Sequence, residues 1–460
     1  MVRRESGSIP RLIAGPRQQL SYFPEHYSLI DREPRVSVVM PSMNQARFIG
    51  QAIDSVLQQT YPNVELIVVD GGSNDGTLGV LESRLGRFGQ RLRWVSEPDS
   101  GAANAINKAL RLADGDIIGW LNSDDLYAAD VITHAVQRFV ADSSLMMLYG
   151  EGEHVDAQGA PLGRYPTRPP SASIQGFHDG CYICQPTVFL RRTVLDAVGL
   201  LDEGLRTAFD FEYWLRVFKQ FPQGVAHVDR VHAYSRLHDD CITMKMRRTV
   251  ALEAMRLLAR HVGVPRPHWL ESYLSELCSV YPFDERVPDL AAEFFGVVKE
   301  AREFLTPDGY ERLMGSYEQD ARLRLALPGA YASVSPDGWA PPTLALRIRK
   351  TPSTASILRL SCVNASPLKR PLTLRTLTSS GKEDVRRVES PGPFHLDFDL
   401  RELTGSQSTI LVTTEPSFVP AQVEPGSRDA RALAFRIERT KFVEADADGQ
   451  LGWFDVSRHR

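Results

Sequence analysis

The first quarter of the chain repeats one order, an apolar strand followed by a polar loop and an amphipathic helix, and this order limits the fold more than any other feature. Apolar runs predict strands, and apolar residues at helical spacing predict helices. Strands are expected at 36–40, 64–69, 92–95 and 117–121, and helices at 46–58, 77–85 and 102–112. Because parallel strands need a crossover that returns the chain, the order predicts a Rossmann-like α/β domain with a parallel sheet.

Polar clusters follow all four of these strands. They comprise residues 42–44, 70–75, 97–101 and 122–125. Ligands of open α/β sheets bind beyond the carboxyl ends of the strands, where such clusters come together. The sequence therefore predicts a single crevice suited to a nucleotide.

The chain changes character twice after this region, and its 460 residues exceed what one hydrophobic core usually organises. Residues 1–34 predict an irregular N-terminal arm, followed by a catalytic domain at 35–243. Amphipathic helices predict a helical extension at 244–327. Short strands are expected beyond it at 344–348, 357–363, 372–377, 394–400, 409–413 and 432–437. Their spacing predicts an all-β sandwich domain at 328–460.

Net charge and cysteine content narrow the classes of function and location. A formal net charge of -4 provides no general attraction for nucleic acid, so no nucleic-acid partner is expected. Five scattered cysteines do not form a disulfide framework, and no segment has the apolar length of a signal peptide or a membrane span. We expect a cytoplasmic protein that would meet a lipid-linked acceptor only peripherally, at the inner face of the membrane.

Six short runs occur in an order that a known family shares. They are VSVVMPSMN from residue 36, VVDGGSNDGT from 68, LNSDD from 121, QPTVFLRR from 185, FDFEYWLR from 209 and YSRLH from 234. Together they resemble the family 2 glycosyltransferases with the A-type glycosyltransferase fold, over about residues 36–243. The resemblance implies inverting transfer of a sugar from a nucleotide-diphosphate sugar to a hydroxyl of a glycan or lipid-linked acceptor.

The C-terminal part resembles the β-sandwiches of bacterial polysaccharide-assembly glycosyltransferases. This weaker resemblance rests on residues 331–339, 418–421 and 427–429. It implies a role in the synthesis of a polysaccharide or surface glycan.

Donor-binding residues follow from the resemblance at the first two strand ends. Asp70 would accept the imide hydrogen of a uracil or thymine base, which favours a uridine or thymidine donor, while Pro41, Ser42 and Asn44 would contact the nucleotide. The Asp-Gly-Gly sequence taken alone is more often a turn. Asp75 is expected to cap the following helix.

A second group of donor contacts is implied at the third strand end. Asp99, Gly101 and Asn104 resemble the segment that lies along the ribose and phosphates of the donor. The alternative is a structural turn, because a glycine before a helix serves that purpose as well.

The LNSDD run occupies the place of the family's acidic metal motif. Asp125 is implied as a direct ligand of Mn²⁺ or Mg²⁺, and Asp124 as a contact to the ribose or to the metal. His238 would complete this environment. Asn122 departs from the family, where many members have Asp. The alternative is that the acids cap a helix over 126–139.

Asp210 is implied as the catalytic base of the transfer. An inverting displacement needs a carboxylate that deprotonates the acceptor hydroxyl as it attacks. Glu212 would orient the acceptor or pair with Arg216, and Trp214 and Arg236 would support the acceptor side. Arg236 or Lys245 would also offer positive charge to the diphosphate. The alternative for Asp210 and Glu212 is a solvated helix start with favourable acids.

Three further interpretations remain open. Cys181 and Cys184 have the spacing of a redox or zinc pair, but no second pair follows, so a buried structural role is favoured. Asn122 and Phe209, which replaces a common acid, are compatible with a catalytically decayed nucleotide-sugar-binding or scaffolding protein. A nucleotidyltransferase is the other alternative, although it would want a glycine-rich basic loop after the first strand.

Overall fold

The computed structural model describes residues 33–171, 173–263, 267–282, 287, 289–349, 356–389, 391–403, 405–445 and 451–452. The N-terminal arm predicted for 1–34 therefore lies outside the described residues, apart from its last two.

The first part of the described chain forms one mixed sheet with helices on both faces. Its elements are β1 Val36–Ser42, α1 Ile49–Leu57, β2 Val64–Asp70, α2 Thr77–Phe88, β3 Leu92–Ser96, α3 Ala102–Leu112, β4 Ile117–Trp120, β5 Leu126–Tyr127, α4 Val131–Ala141, β6 Met147–Val155, β7 Pro161–Arg164, β8 Phe189–Arg191, α5 Thr193–Val198, α6 Phe209–Gln220, β9 Val225–Arg236 and α7 Ile242–Lys245.

The sheet has the order β3-β2-β1-β4-β8-β6-β9-β5, with β7 at the side of β6. β3, β2, β1 and β4 are mutually parallel, which confirms the predicted parallel part. β8 then pairs antiparallel with both β4 and β6, while β9 runs parallel to β6. The chain leaves β1 toward β2 and returns on the other side of β1 as β4. The carboxyl ends of β1 and β4 thus form a topological switch point, the usual place for a ligand.

Two hydrophobic clusters cover the two faces of this sheet. One lies under α3 and α6 and includes the fully buried Ile106 and Trp214. The other lies under α1 and α4 and includes Ile53 and Phe139. All seven residues of β1 are buried, as expected for a strand that is covered on both faces.

Residues 126–139 do not form the single helix that would make Asp124 and Asp125 helix caps. Leu126 and Tyr127 pair antiparallel with β9, and the helix starts only at Val131. Tyr127 is buried and pairs with Ala233 of β9, which explains why Leu126 and Tyr127 form a strand rather than the start of a helix. The capping alternative for the acidic motif is therefore wrong.

Helices dominate the next part of the chain, as predicted. They are α8 Arg247–His261, α9 His268–Val280, α10 Leu290–Ala301, α11 Pro307–Glu318 and α12 Ala321–Leu325. The hydrophobic core does not break at residue 243, because Leu257 and Leu258 of α8 belong to the cluster under α3 and α6. Ala251 and Leu252 of the same helix pack in a separate helical cluster with α9 and α10.

The C-terminal part consists of two antiparallel sheets around one core, which confirms the predicted all-β sandwich. Its elements are β10 Ala330–Ala332, β11 Thr343–Arg349, β12 Ile357–Asn364, β13 Leu372–Thr378, β14 Glu383–Val388, β15 Gly392–Asp399, β16 Gln407–Glu415, α13 Pro420–Val423, β17 Arg436–Ala445 and β18 Leu451–Gly452. The sheets have the orders β10-β11-β16-β13-β14 and β15-β12-β17-β18.

Four strands of the sandwich differ from expectation, and two of them, the short β10 and β18, have no counterpart among the predicted strands. β14 was not predicted, because it is an edge strand whose Glu383, Asp384, Arg386 and Arg387 are exposed and carry no apolar alternation. The strand expected at 432–437 instead spans Arg436–Ala445. Within the described residues, no helix has the length and apolar character that crossing a membrane requires.

Candidate active site

Asp70 ends β2 and is completely buried. Its Oδ2 accepts hydrogen bonds from the backbone N–H groups of Gly72 (3.1 Å) and Ser73 (2.9 Å) and from the Ser96 hydroxyl (2.7 Å), and its Oδ1 accepts one from the Ser73 hydroxyl (2.5 Å). Burial alone raises the pKa of this carboxyl, but the hydrogen bonds outweigh it and the pKa lies below its ordinary value. Asp70 is thus a charged carboxylate that organises the β2–α2 loop, and its base-reading role stays a prediction.

The loops after β1 and β2 are joined by direct hydrogen bonds. Asn44, at a φ of 53°, donates its backbone N–H to the Ser73 hydroxyl at 2.6 Å, and its Oδ1 accepts the backbone N–H of Asn74 at 2.9 Å. Asp75 accepts the backbone N–H groups of Thr77 and Ala46, as its predicted capping role requires. These contacts make the two loops one wall of the crevice.

Ser42, which is predicted to contact the sugar donor, has a side-chain hydroxyl that is free to form a hydrogen bond. It follows the buried Pro41 at the carboxyl end of β1, and its side chain is only 4% exposed. Its hydroxyl has no hydrogen-bond partner in the part of the chain that the structure describes. A buried hydroxyl without a partner is costly, and a ligand in the crevice would remove that cost.

Asp99, Gly101 and Asn104 form the start of α3. Asp99 accepts the backbone N–H of Gly101 at 2.9 Å, and Gly101 has a φ of 130°, which favours glycine. An added Cβ at Gly71 would lie 2.6 Å from Asp99 Oδ2, so Gly71 lets these two loops approach. Asn104 donates its amide to Glu203 at 2.8 Å, which ties α3 to the loop before α6. Its predicted contact with the donor is not tested by this geometry.

The acidic motif contains one partly exposed carboxylate, that of Asp124, and one buried carboxylate, that of Asp125. Asp124 Oδ2 lies 3.1 Å from His238 Nε2, which brings together two of the predicted metal-site residues. Asp125 is 3% exposed, and its Oδ1 accepts the backbone N–H of Arg236 at 2.8 Å. Burial, and then the negative charge of Asp124, raise the pKa of Asp125 well above its ordinary value. A cation beside these acids would offset that repulsion.

Asn122 connects three groups that an aspartate could not connect in the same way. Its Nδ2 donates to Asp125 Oδ2 at 3.2 Å and to Gln185 Oε1 at 2.9 Å, and its Oδ1 accepts the Trp120 indole N–H at 3.2 Å. Gln185 in turn donates to the backbone oxygen of Trp120 at 2.9 Å. The departure from the family's aspartate therefore has a structural explanation.

Arg236 is 3% exposed and holds the acidic loop in place. Its guanidinium donates to the backbone oxygens of Asp124, Asp156 and Ala157 and to the side chain of Gln51. It also lies over the Phe48 ring at 4.9 Å. Because all its nitrogens have protein acceptors, the structure does not present Arg236 to a diphosphate. The supporting role predicted for Arg236 fits these bonds, and a contribution of its positive charge to diphosphate binding stays a prediction. Lys245 is half exposed and pairs with Asp240 at 2.7 Å.

Asp210 stands in the first turn of α6, with its Oδ1 accepting the backbone N–H of Phe211 at 2.7 Å. Loss of solvent around its carboxyl raises the pKa to about 6, against an ordinary value of 3.8. Asp210 is half-buried and Glu212 is buried, so the alternative of a solvated helix start does not fit this environment. A carboxylate with a pKa near neutrality suits general-base chemistry.

The buried Cys184 lies near both acidic motifs. This buried thiol feels the charges of both Asp125 and Asp210, and its pKa is raised by burial first and by those charges next. Burial and the charge of Asp210 raise the pKa of Cys181 in the same direction. Both cysteines are free thiols. Their protonated state agrees with the structural role predicted for them.

Glu212 and Trp214 do not reach the crevice. Glu212 is 5% exposed, and both of its oxygens accept from Arg216 Nε at 2.9 Å, which is the pairing predicted as one of its two roles. Trp214 is completely buried in the core under α6. Trp214 lies one helical turn after Asp210, and Glu212 lies on another side of the helix, but both side chains are buried, so neither is exposed for contact with an acceptor. Their support of the acceptor side stays a prediction.

Phe209 packs between the two acidic motifs. Its ring stacks on Trp120 at a centroid distance of 5.8 Å, and both side chains are 7% exposed. Trp120 precedes Asn122 by two residues and Phe209 directly precedes Asp210, so the stack fixes the spacing between the motifs. An acid at 209 would lose this contact.

Sequence reasoning missed two residues that organise the site, Gln185 and Glu253. Gln185 stands in the QPTVFLRR run, and its pairing with Asn122 depends on β8 lying beside β4. Glu253 lies on the buried surface of α8, where a charged side chain among apolar neighbours was the available signal.

Comparison with known proteins finds a family match in the α/β part of the chain. Residues 37–199 match the model of the glycosyl transferase family 2. This part of the chain is therefore similar to a family 2 glycosyltransferase domain, and helices and a β-sandwich follow it.

Several curated proteins share this region. The chain is 29% identical over 221 residues to an uncharacterized glycosyltransferase of Rickettsia felis, covering 45% of this chain and 35% of that protein. It is 26% identical over 235 residues to a chondroitin synthase of Escherichia coli, covering 50% and 33%. It is 35% identical over 133 residues to a hyaluronan synthase of Pasteurella multocida, covering 29% and 14%. The chain thus spans about a third or less of the length of these relatives.

Solved structures also resemble the chain. Residues 1–349 of Staphylococcus aureus TarS in complex with UDP-GlcNAc align with a TM-score of 0.44 and 17% identity, covering 62% of this chain and 92% of that one. A mannosyltransferase of Pyrobaculum calidifontis in complex with GDP-Man and Mn²⁺ aligns with a TM-score of 0.39 and 19% identity, covering 62% and 80%.

Proposed function

We propose that this protein is a metal-dependent, inverting glycosyltransferase that moves a sugar from a nucleotide-diphosphate sugar to a hydroxyl of a glycan or lipid-linked acceptor. The observation that carries the proposal is that the stack of Phe209 on Trp120 brings two acidic sites close together in the fold. One is the Asp124–Asp125 pair at the switch point, and the other is Asp210, whose pKa is raised to about 6.

Asp210 would act as the general base. At neutral pH its carboxyl is mostly deprotonated but still basic enough to take a proton from an attacking hydroxyl. The acceptor oxygen would attack the anomeric carbon from the side opposite the nucleotide, which inverts the configuration. The proton passes to Asp210, and the nucleoside diphosphate leaves with the bonding electron pair.

The donor would lie across the ends of β1, β2 and β4. The unpartnered Ser42 hydroxyl and the loop held by Asp70 would bind the uridine or thymidine part. Asp99, Gly101 and Asn104 would lie along the ribose and phosphates. These assignments rest on the resemblance of the motifs and on their common position at the strand ends.

Asp124, Asp125 and His238 would hold Mn²⁺ or Mg²⁺. Within the described ranges, no three His, Cys, Asp or Glu side chains form a metal-holding group by themselves. Mg²⁺ is commonly held by one or two carboxylates together with substrate phosphates, so the Asp124–Asp125 pair fits without a full protein cage. When bound, such an ion would neutralise the negative charge of the leaving diphosphate.

Synthesis of a bacterial polysaccharide or surface glycan is the setting that we propose. The similarity to two relatives, a chondroitin synthase and a hyaluronan synthase, supports it. We place the reaction in the cytoplasm, with a lipid-linked acceptor reached at the inner face of the membrane.

The two sequence features that were compatible with catalytic decay, Asn122 and Phe209, both have a structural explanation. Asn122 bridges Asp125 and Gln185, and Phe209 stacks on Trp120, so both departures from the family serve the packing of the site. The chain retains the three carboxylates that the proposed chemistry needs, those of Asp124, Asp125 and Asp210.

Replacement of the base tests the proposal. Asp210→Asn keeps the shape and removes the proton acceptor, so transfer should fall by about a hundredfold to ten-thousandfold while donor affinity changes little. The assay follows release of nucleoside diphosphate from candidate nucleotide sugars and assigns the anomeric configuration of the product by NMR. Glu212→Gln is the control on the same helix. Near wild-type transfer by Asp210→Asn, or retention of configuration, would refute the proposal.

A further inference from the structure

A buried carboxylate from α8 holds the backbone that leads into α6. Glu253 is 6% exposed. Its Oε1 accepts the backbone N–H of Arg206 at 2.9 Å, and its Oε2 accepts the backbone N–H groups of Thr207 at 2.9 Å and Ala208 at 3.0 Å. The Thr207 hydroxyl donates to the same Oε2 at 2.6 Å. One side chain thus collects four hydrogen bonds from three consecutive residues.

This arrangement reinforces a helix start that has no side-chain cap. Ala208 is the residue that precedes the helix, and it has no side chain able to accept the first N–H groups. Glu253 does not accept those groups either, but it accepts the N–H of Ala208 itself, from another helix 45 residues further along the chain. It also brings a carboxylate next to the helix start, where a negative charge is favourable.

The carboxylate of Asp210 depends on the same backbone. Its Oδ1 accepts the N–H of Phe211, a group in the first turn of α6, so the direction of the side chain follows the direction of that turn. The first helical bond, from the N–H of Glu212 to the oxygen of Ala208, closes directly on the residue that Glu253 holds. A shift of the helix start would therefore move the base.

Both ends of the preceding loop are fixed, but in different ways. At its beginning, the buried Asn107 of α3 exchanges two hydrogen bonds with the backbone of Leu201, at 2.9 and 3.0 Å. At its end, within the described chain, Glu253 is the side chain that holds residues 206–208. Leu257 and Leu258, one turn further along α8, pack in the same core as Phe209. The position of Glu253 is thereby fixed against α6.

We propose that Glu253 is a positioning residue for the transfer reaction, which holds Asp210 in line with the acceptor hydroxyl through the backbone of residues 206–208. This inference rests on the proposed role of Asp210 as the base. It assigns to the helical segment a part in catalysis, since the residue that aims the base comes from α8.

Glu253→Gln tests this role with little change of volume. An amide keeps one acceptor oxygen but turns an NH₂ group toward backbone N–H donors, which breaks the cluster. A displacement of about 1 Å at a reacting group costs on the order of a hundredfold in rate. We expect kcat for transfer to fall by about that factor, with the KM and Kd of the donor changed less than about twofold. Thr207→Val removes one of the four bonds and should give a smaller loss in the same direction.

Glu276→Gln is the matched control. Glu276 lies on α9 and pairs with Arg247 of α8 at 2.6 Å, so the variant also removes a carboxylate contact of α8 but touches nothing near α6. Its kcat should stay near that of the wild type. Thermal unfolding of each variant shows whether it is folded at the assay temperature, and Thr207→Val carries the test if Glu253→Gln is not.

The double variant of Glu253→Gln and Asp210→Asn distinguishes a positioning role of Glu253 from a general role in stabilising the fold. If Glu253 acts through Asp210, Glu253→Gln should not slow Asp210→Asn any further, because the group that it aims is already inactive. If the two losses multiply instead, Glu253 does not act through Asp210 and the inference is overturned. Wild-type kcat in both Glu253→Gln and Thr207→Val also overturns it. Full activity of Asp210→Asn, by contrast, would refute the proposed function itself.

Discussion

The environment of Asp210 links catalysis to stability at the scale of a single residue. Its pKa is about 6 in the folded chain and 3.8 in an ordinary setting, so the native state holds a proton more tightly than the unfolded state. The stabilisation from this proton is complete below pH about 4 and is lost as pH rises through about 6. The site keeps a carboxylate that opposes folding at the pH where the proposed base works.

Asp210→Asn should therefore stabilise the protein above pH 6 relative to wild type. The gain should be small near pH 4 and should grow as pH rises to about 6, because asparagine cannot lose a proton. Thermal unfolding of both proteins from pH 4 to pH 8 measures the difference. In parallel, wild-type kcat should rise with pH along an acid limb near pH 6. A stability difference that stays constant with pH would contradict the raised pKa.

The metal assignment makes a second prediction about single residues. Asp125→Ala removes an enclosed carboxylate beside Asp124, so Mn²⁺-dependent binding of the donor should be lost. Calorimetric titration of a nucleotide sugar with and without Mn²⁺ measures it. Glu153→Ala, at a half-buried position of β6 beside Arg164, is the control. Binding that is unchanged in Asp125→Ala would remove the metal assignment.

How far the sequence predicts the site also depends on residue-level physics. Asp70, Asp124 and Asp125 follow strands whose apolar runs are plain in the sequence, so their common edge could be expected. The burial of Glu212 and Trp214 could not be predicted, because helical spacing alone does not say which face of α6 packs against the core. The hydrogen bonds of Asn122 and Glu253 join residues distant in the chain, and only tertiary packing brings them together.

At the scale of elements, the predicted β/α repeats of the first domain are confirmed. β1 and β2 are the clearest cases, because both are mostly apolar runs that are buried on both faces. β5 and β14 were missed for opposite reasons. β5 has two residues and gains its strand pairing from β9, whereas β14 is a polar edge strand. The local sequence pattern does not show which partner such a strand pairs with, so it does not predict these strands.

Arg236 joins several elements, and its loss should loosen all of them. The side chain connects the acidic loop before β5 to α1 and to the turn between β6 and β7. Arg236→Lys keeps the charge but cannot make these five contacts from one planar group. We expect a loss of about 3 kcal/mol in the free energy of unfolding of the transferase part.

Chemical denaturation followed by tryptophan fluorescence measures this change, since Trp120 and Trp214 lie in the transferase core. Arg164→Lys, at an exposed ion pair with Glu153, is the control and should change stability by less than about 0.5 kcal/mol. An equal stability of Arg236→Lys and wild type would show that the hydrogen bonds of Arg236 are dispensable.

At the scale of the whole molecule, the helical part and the β-sandwich do not separate at a single residue, because each contributes residues to the core of the other. Ala321 and Leu325 of α12 belong to the core of the β-sandwich, although they precede the predicted boundary at 328. Tyr331 lies beyond that boundary but packs in the helical cluster, with its ring 6.2 Å from that of Tyr281. A cut that separates cores must therefore fall before α12.

A chain that ends at Gln319 should keep the transfer reaction, because the described contacts of the acidic motifs and of Glu253 all lie before that residue. Its kcat and donor Kd should stay within about twofold of the full chain, while thermal stability falls because Tyr281 loses Tyr331. A chain that ends at Pro328 is the matched comparison. It retains α12 without the sandwich, so the apolar surfaces of Ala321 and Leu325 face solvent, and it should aggregate more readily. Circular dichroism and size-exclusion chromatography establish that each chain is folded. A folded, monodisperse chain ending at Gln319 that has lost donor turnover would show that the β-sandwich takes part in the chemistry.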